Sequence, residues 1–227
     1  MKVRIFLIIV FTSISIYSCT EKKSNHRIKE GLIKYDIEYL DDSLQNFMST
    51  FLPKKMTIKF KDNNTINKIE SLSGIVSFSH IQNTKKGESI TLVKIFNNKY
   101  KYIEKIGEPS IFYKNLPNIN ISRTGETKNI AGYDCAKAQI TCSDTLIKPF
   151  NVYYTNNIEI SNANAHTPFR NIDGVLLQFE IKLYGIRMKL TASDILETKV
   201  SKENFHITNE YKQINKKTMK EIIKLLK

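Results

Sequence analysis

The chain contains no tryptophan, and its 227 residues include only eight glycines, five prolines and three cysteines. With so little glycine there is no P-loop and no GxGxxG, and GxSxG is missing too, so nothing marks a phosphate cradle, a dinucleotide fold or a nucleophile elbow. Histidine is equally sparse. His26, His80, His166 and His206 lie far apart, none within HExxH or a Cys/His cluster. His26 stands in a polar N-terminal stretch. His80 and His206 have polar neighbours and are expected at the surface. His166 lies in a loop (NANAHTPF), the one histidine placed where a ligand or base could sit.

Acidic residues offer no better constellation. Asp36, Glu38, Asp41 and Asp42 fall close together, and a solvated strand and turn account for them. Asp62-Asn63-Asn64 lacks the glycine and later glutamate of a calcium loop and reads as a turn. No enzyme activity, cofactor or metal is expected.

Arginine is also rare: five of the 35 basic residues, the rest being lysines spread along the chain. A nucleic-acid surface would cluster arginine and aromatics on one element. The net charge of +13 therefore reads as solvation, with attraction to anionic head groups as the weaker option.

What is present begins at the N-terminus. Lys2 and Arg4 precede an apolar run from Ile5 to Tyr17 broken only by Thr12, Ser13 and Ser15. A basic start followed by an apolar stretch too short for the ~20 residues of a membrane span is the layout of a secretory signal. The run ends Ile16-Tyr17-Ser18-Cys19, which resembles a lipobox. That resemblance implies cleavage after Ser18, a diacylglycerol thioether on Cys19, and attachment to a membrane through this anchor. The expected layout is a signal over 1–18, a lipidated cysteine and flexible tether over 19–30, and one domain over 31–227. The 209 residues after the signal (227 less 18) suffice for one sizeable core.

Two cysteines remain, Cys135 and Cys142. Seven residues of extended chain span ~23 Å, too far for a bridge within one strand. Only a hairpin centred on Ala138-Gln139 would bring them together, and those are poor turn residues.

Period-two alternation recurs through the domain. Ile33, Tyr35, Ile37 and Tyr39 share one face, with Lys34, Asp36 and Glu38 opposite. Further strands are expected at 56–60, 65–71, 74–81, 88–96, 99–105, 109–114, 133–142, 150–155, 174–183 and 187–192. Turns are expected at Lys85-Lys86-Gly87 and Asn97-Asn98, and a loop over 115–126. Leu44, Phe47, Met48 and Phe51 follow at helical spacing and predict a short helix. Met219, Ile222, Ile223 and Leu226 predict an amphipathic C-terminal helix over 216–227, packed on the sheet or, alternatively, on a membrane surface. The expected fold is mainly β with some helix (α+β), a single antiparallel sheet with one face covered.

One block carries more than composition. Thr127-Lys128-Asn129-Ile130-Ala131-Gly132-Tyr133-Asp134-Cys135-Ala136-Lys137-Ala138 resembles the T-x-x-I-A-G-Y-x-C-x-K-A block of the GLPGLI family and its DUF4412-like relatives, exported proteins of Bacteroidetes-type bacteria. Phe150–Ile158 is similar to the block that follows it there, with Tyr153 in place of tryptophan. Asn171-Ile172-Asp173-Gly174-Val175-Leu176 falls where the family's name motif stands, and only Gly174 and the apolar positions hold. The resemblance implies an exported setting and a LolA/LolB-like half-barrel, a curved antiparallel sheet wrapped around a few helices. It carries no activity with it.

Two functions are compatible with this. One is binding of a lipid or other hydrophobic ligand on the concave sheet face, for which the 11 Tyr and 12 Phe provide wall material. The other is a structural or accessory envelope lipoprotein, partnered by another envelope protein and holding no small ligand. No nucleic-acid partner is expected. Thr20 follows Cys19 where an inner-membrane retention signal would place aspartate, so the expected location is the outer membrane, and Glu21-Lys22-Lys23 is a poor match to acidic surface-export signals, which favours its periplasmic face.

Overall fold

The computed structural model describes residues 26–41, 52–71, 74–84, 86–105, 118–143, 147–183 and 186–224. The signal, Cys19, the 44–51 helix and the 109–114 strand lie outside the described residues. Within them the chain builds one large, curved, unclosed sheet. Its strands are β1 (Glu30–Tyr39), β2 (Lys55–Lys61), β3 (Asn64–Glu70), β4 (Val76–Asn83), β5 (Glu88–Ile95), β6 (Asn98–Lys105), β7 (Ile119–Ile130), β8 (Tyr133–Cys142), β9 (Phe150–Thr155), β10 (Val175–Leu183), β11 (Ile186–Glu197) and β12 (Lys212–Gln213). The order across the sheet is β12-β6-β5-β4-β3-β2-β1-β11-β10-β9-β8-β7. All neighbours are antiparallel except β12, which pairs with β6 in parallel. Two meanders thus meet where β1 pairs with β11, bringing the first and last long strands side by side at the centre.

Short-range chemistry sets the hairpins. Asp62 and Asn63 both take positive φ between Lys61 and Asn64, as do Ala131 and Gly132 between Ile130 and Tyr133. Mirror-image turns of this kind match the twist of the flanking strands, and Asn, Asp and Gly enter them at least cost. The IAGY stretch is therefore a two-residue hairpin, with Tyr133 buried where the chain returns. The β5–β6 turn is Phe96-Asn97, one residue earlier than expected, because Ile95 pairs with Asn98.

Two further expectations change. Residues 119–126, expected as loop, are the first part of β7. Its register slips between Arg123 and Thr127, and its polar side chains stand exposed along the sheet edge, where a strand needs no apolar alternation. The ordered body starts before residue 31: Ile28 is buried and bridges to Ile158. Cys135 and Cys142 lie on the same extended strand at an odd separation, hence on opposite faces, and do not bridge one another.

The covered face follows from register. Directly opposite residues share a face. Tyr35, Met56, Ile69, Phe78 and Val93 form one row across β1–β5, and Ile58, Asn67, His80 and Thr91 form the next across β2–β5. Two pieces of chain cover this face. One is the irregular 156–174 segment between β9 and β10, whose Ile158, Ile160, Phe169 and Ile172 are buried. The other is α1 (Lys216–Lys224), whose Met219 is fully buried with Val93, Phe78 and Tyr100 around it. The C-terminal amphipathic helix thus packs on the sheet over its described length. The opposite face of β3–β6 carries a smaller cluster of Ile81, Ile90 and Leu92, capped by Ile207 and Tyr211.

Candidate functional site

Between the sheet and the 156–174 segment lies a cavity of about 150 Å³. β1, β2, β10 and β11 supply its apolar wall, including Tyr35, Met56, Ile58, Phe179, Ile181 and Met188. β3, β4 and β5 supply a mixed wall in which Ile69 and Phe78 adjoin Asn67, His80 and Thr91. The covering segment contributes Ile160, Ala163, Asn164, His166 and Thr167. One end is therefore greasy and the other polar, and among the described residues bordering it there is no Lys, Arg, Asp or Glu.

The greasy end is held rigidly. The Tyr35 ring meets Phe179 edge-on at 6.1 Å, and Phe179 meets Phe169 in the same way at 6.1 Å. The Tyr35 hydroxyl donates to the Leu176 carbonyl at 2.8 Å. Burial pushes the phenol pKa far above its ordinary value, so Tyr35 is a neutral wall residue. The cover is held by Asn164, whose side-chain amide donates to the carbonyls of Ile172 at 2.8 Å and Gly174 at 2.9 Å. Gly174 has φ +109°, and a Cβ there would lie 2.7 Å from the Thr155 carbonyl oxygen and against Asn156 Oδ1. Glycine is thus required where β9 and β10 flank the cover.

At the polar end two histidines far apart in sequence meet. The rings of His80 and His166 lie 5.6 Å apart, edge to face. His80 Nε2 is 3.1 Å from Ser89 Oγ. Burial, reinforced by His166, lowers the His80 pKa to about 4, so its ring is neutral near pH 7. Asn67 Oδ1 and Thr91 Oγ1 are buried and have no hydrogen-bond partner among the described residues.

A serine within reach of a histidine suggests nucleophilic chemistry, but the geometry opposes it. Ser89 is fully buried and does not border the cavity, and a histidine with a pKa near 4 is a weak base at neutral pH.

No family model and no curated protein matches this chain. The site therefore rests on its own geometry. Of the residues singled out from sequence, His166 is in the cavity wall. His80 is there too rather than at the surface. The pattern contained the signal: Val76, Phe78 and His80 are spaced by two and share the covered face. His206 is exposed, and His26 is exposed with Nε2 3.0 Å from Glu197. The acidic group is surface charge: Asp36 pairs with Lys55, Glu38 with Lys189 at 3.4 Å, and Asp41 accepts from the Arg187 amide at 2.8 Å. Asp42 and Cys19 lie outside the described residues.

Proposed function

We propose that this chain is an outer-membrane lipoprotein of the GLPGLI type, anchored through Cys19 on the periplasmic face, that binds a hydrophobic ligand beneath the 156–174 segment. The cavity carries this reading. It has a continuous apolar wall, a polar end, and a cover pinned by Asn164. Its size narrows the ligand. An apolar cavity of about 150 Å³ holds a benzene-sized group, so the occupant is a small apolar molecule or the end of one acyl chain rather than a whole two-chain lipid. A LolA-like half-barrel fits the curved sheet, and the tight turn at Ala131-Gly132 and the need for glycine at 174 fit the family blocks. In this reading the protein binds and holds its ligand and performs no chemistry on it.

The rival reading, a structural envelope lipoprotein without a small ligand, draws on how far Phe169 and Met219 already fill the covered face. Native mass spectrometry of the chain purified from its own envelope separates the two. The expected mass is that of the chain from Cys19 with a diacylglycerol attached, plus a non-covalent adduct of small mass. Ala163→Phe, which puts a ring into the cavity from the cover, is expected to lose the adduct and keep the anchor. Wild-type protein with no adduct would favour the structural reading, and a mass without acyl groups would remove the anchor.

A further inference from the structure

The cavity's polar end has a composition that says more about the ligand than its volume does. We propose that it selects an uncharged head that donates a hydrogen bond to Asn67 Oδ1, such as the hydroxyl of an alcohol or a phenol, over a carboxylate or an ammonium group. This rests on the cavity being a ligand site.

Three observations carry it. First, Asn67 Oδ1 and Thr91 Oγ1 are buried cavity-wall atoms without a partner among the described residues. A buried polar atom left unpaired costs free energy that a complementary ligand group restores. Second, the two stand in one cross-strand row, Asn67 on β3 and Thr91 on β5, with His80 between them on β4. They therefore present a single polar strip to whatever enters. An amide oxygen can only accept, whereas a hydroxyl donates and accepts. A ligand hydroxyl can therefore donate to Asn67, and one placed nearer β5 can pair with Thr91. Third, no Lys, Arg, Asp or Glu is among the described residues bordering the cavity, so an ion entering it would meet no counter-charge. Desolvating an unpaired ion costs several kcal/mol in real proteins. The neutral His80 ring adds no charge to offset it near pH 7.

The test is a ring series at pH 7.5: benzene, phenol, benzoate and benzylammonium, titrated into the full-length chain carrying Cys19→Ala so that no attached acyl chain competes. The readout is the shift of side-chain NMR signals lining the cavity. Phenol is expected to bind at least tenfold more tightly than benzene, as one neutral hydrogen bond of ~1.4 kcal/mol provides, with benzoate and benzylammonium showing no binding in the same range. Asn67→Val should remove the preference, lowering phenol affinity about tenfold and leaving benzene unchanged. Thr91→Val serves as a second variant if Asn67→Val does not fold, and should weaken phenol binding selectively. Benzene equal to phenol, a charged member binding most tightly, or a phenol preference that survives Asn67→Val would overturn the selectivity and leave the cavity as a ligand site. Failure of all four probes would overturn both.

Discussion

Gly174→Ala is expected to destabilise the fold by about 3 kcal/mol, a loss of roughly 6–12 °C in melting temperature for a domain of this size. Two costs add. The residue sits at φ +109°, a conformation L side chains avoid, and the new methyl would meet the Thr155 carbonyl oxygen at 2.7 Å. Either the backbone rotates or β9 moves away, and both loosen the cover that Asn164 ties to the Gly174 carbonyl. Gly87→Ala is the matched control. Gly87 also has positive φ, but nothing lies within 4 Å of its would-be Cβ, so only the conformational cost of ~1 kcal/mol applies. Thermal unfolding followed by circular dichroism compares the two. Equal, small losses would mean that the close approach at Gly174 is not a constraint.

Acid is expected to weaken the protein through His80. The folded-state pKa lies at about 4, below the ordinary value of 6.5, because the half-buried ring is desolvated and lies beside His166. The unfolded chain then binds the proton more readily than the folded one. Stability falls as pH drops from about 6.5 towards 4 and levels off below the folded pKa. The full difference is about 3 kcal/mol. His166 on the cover faces the ring, and the buried Glu104 stands in register with Ser89, the hydrogen-bond partner of His80. Surface carboxylates also titrate in this range, so the diagnostic quantity is the difference between wild type and His80→Gln. Urea unfolding at pH 7, 5.5 and 4.5 should show the wild type losing more stability than the variant at each step down. Parallel losses would place the acid sensitivity elsewhere.

Much of the sheet can be read from residue order because one face is wet and the other covered. Ile33, Tyr35, Ile37 and Tyr39 alternate with charged residues, and β1 is a central strand that pairs with β2 without interruption and with β11 through one register shift between Lys34 and Tyr35. β8, β10 and β11 show apolar alternation over part of their length, each beside one register shift. β7 escapes this reading because it is an edge. Its residues from Ser122 to Asn129 are exposed, so no apolar period marks them. The cover escapes it for a different reason. Ile158, Ile160, Phe169 and Ile172 follow neither a helical nor a strand period, since turns and Asn164 hold the segment in place. The site inherits that gap. His80 and Thr91 have a row position that strand pairing discloses, but nothing local pairs His80 with His166, because the contact depends on how an irregular segment folds back over the sheet.

Ligand binding needs a dry, reachable space between Phe78, Phe179, Met188 and the 156–174 segment. A crystal structure under xenon pressure tests that space directly, because xenon occupies apolar cavities of this volume and leaves polar ones to water. The expected result is a xenon atom against Phe179 and Met188 in the wild type, and none in Ala163→Phe. A cavity found collapsed, or filled by ordered water throughout its apolar end, would contradict the claim that this fold encloses a hydrophobic ligand.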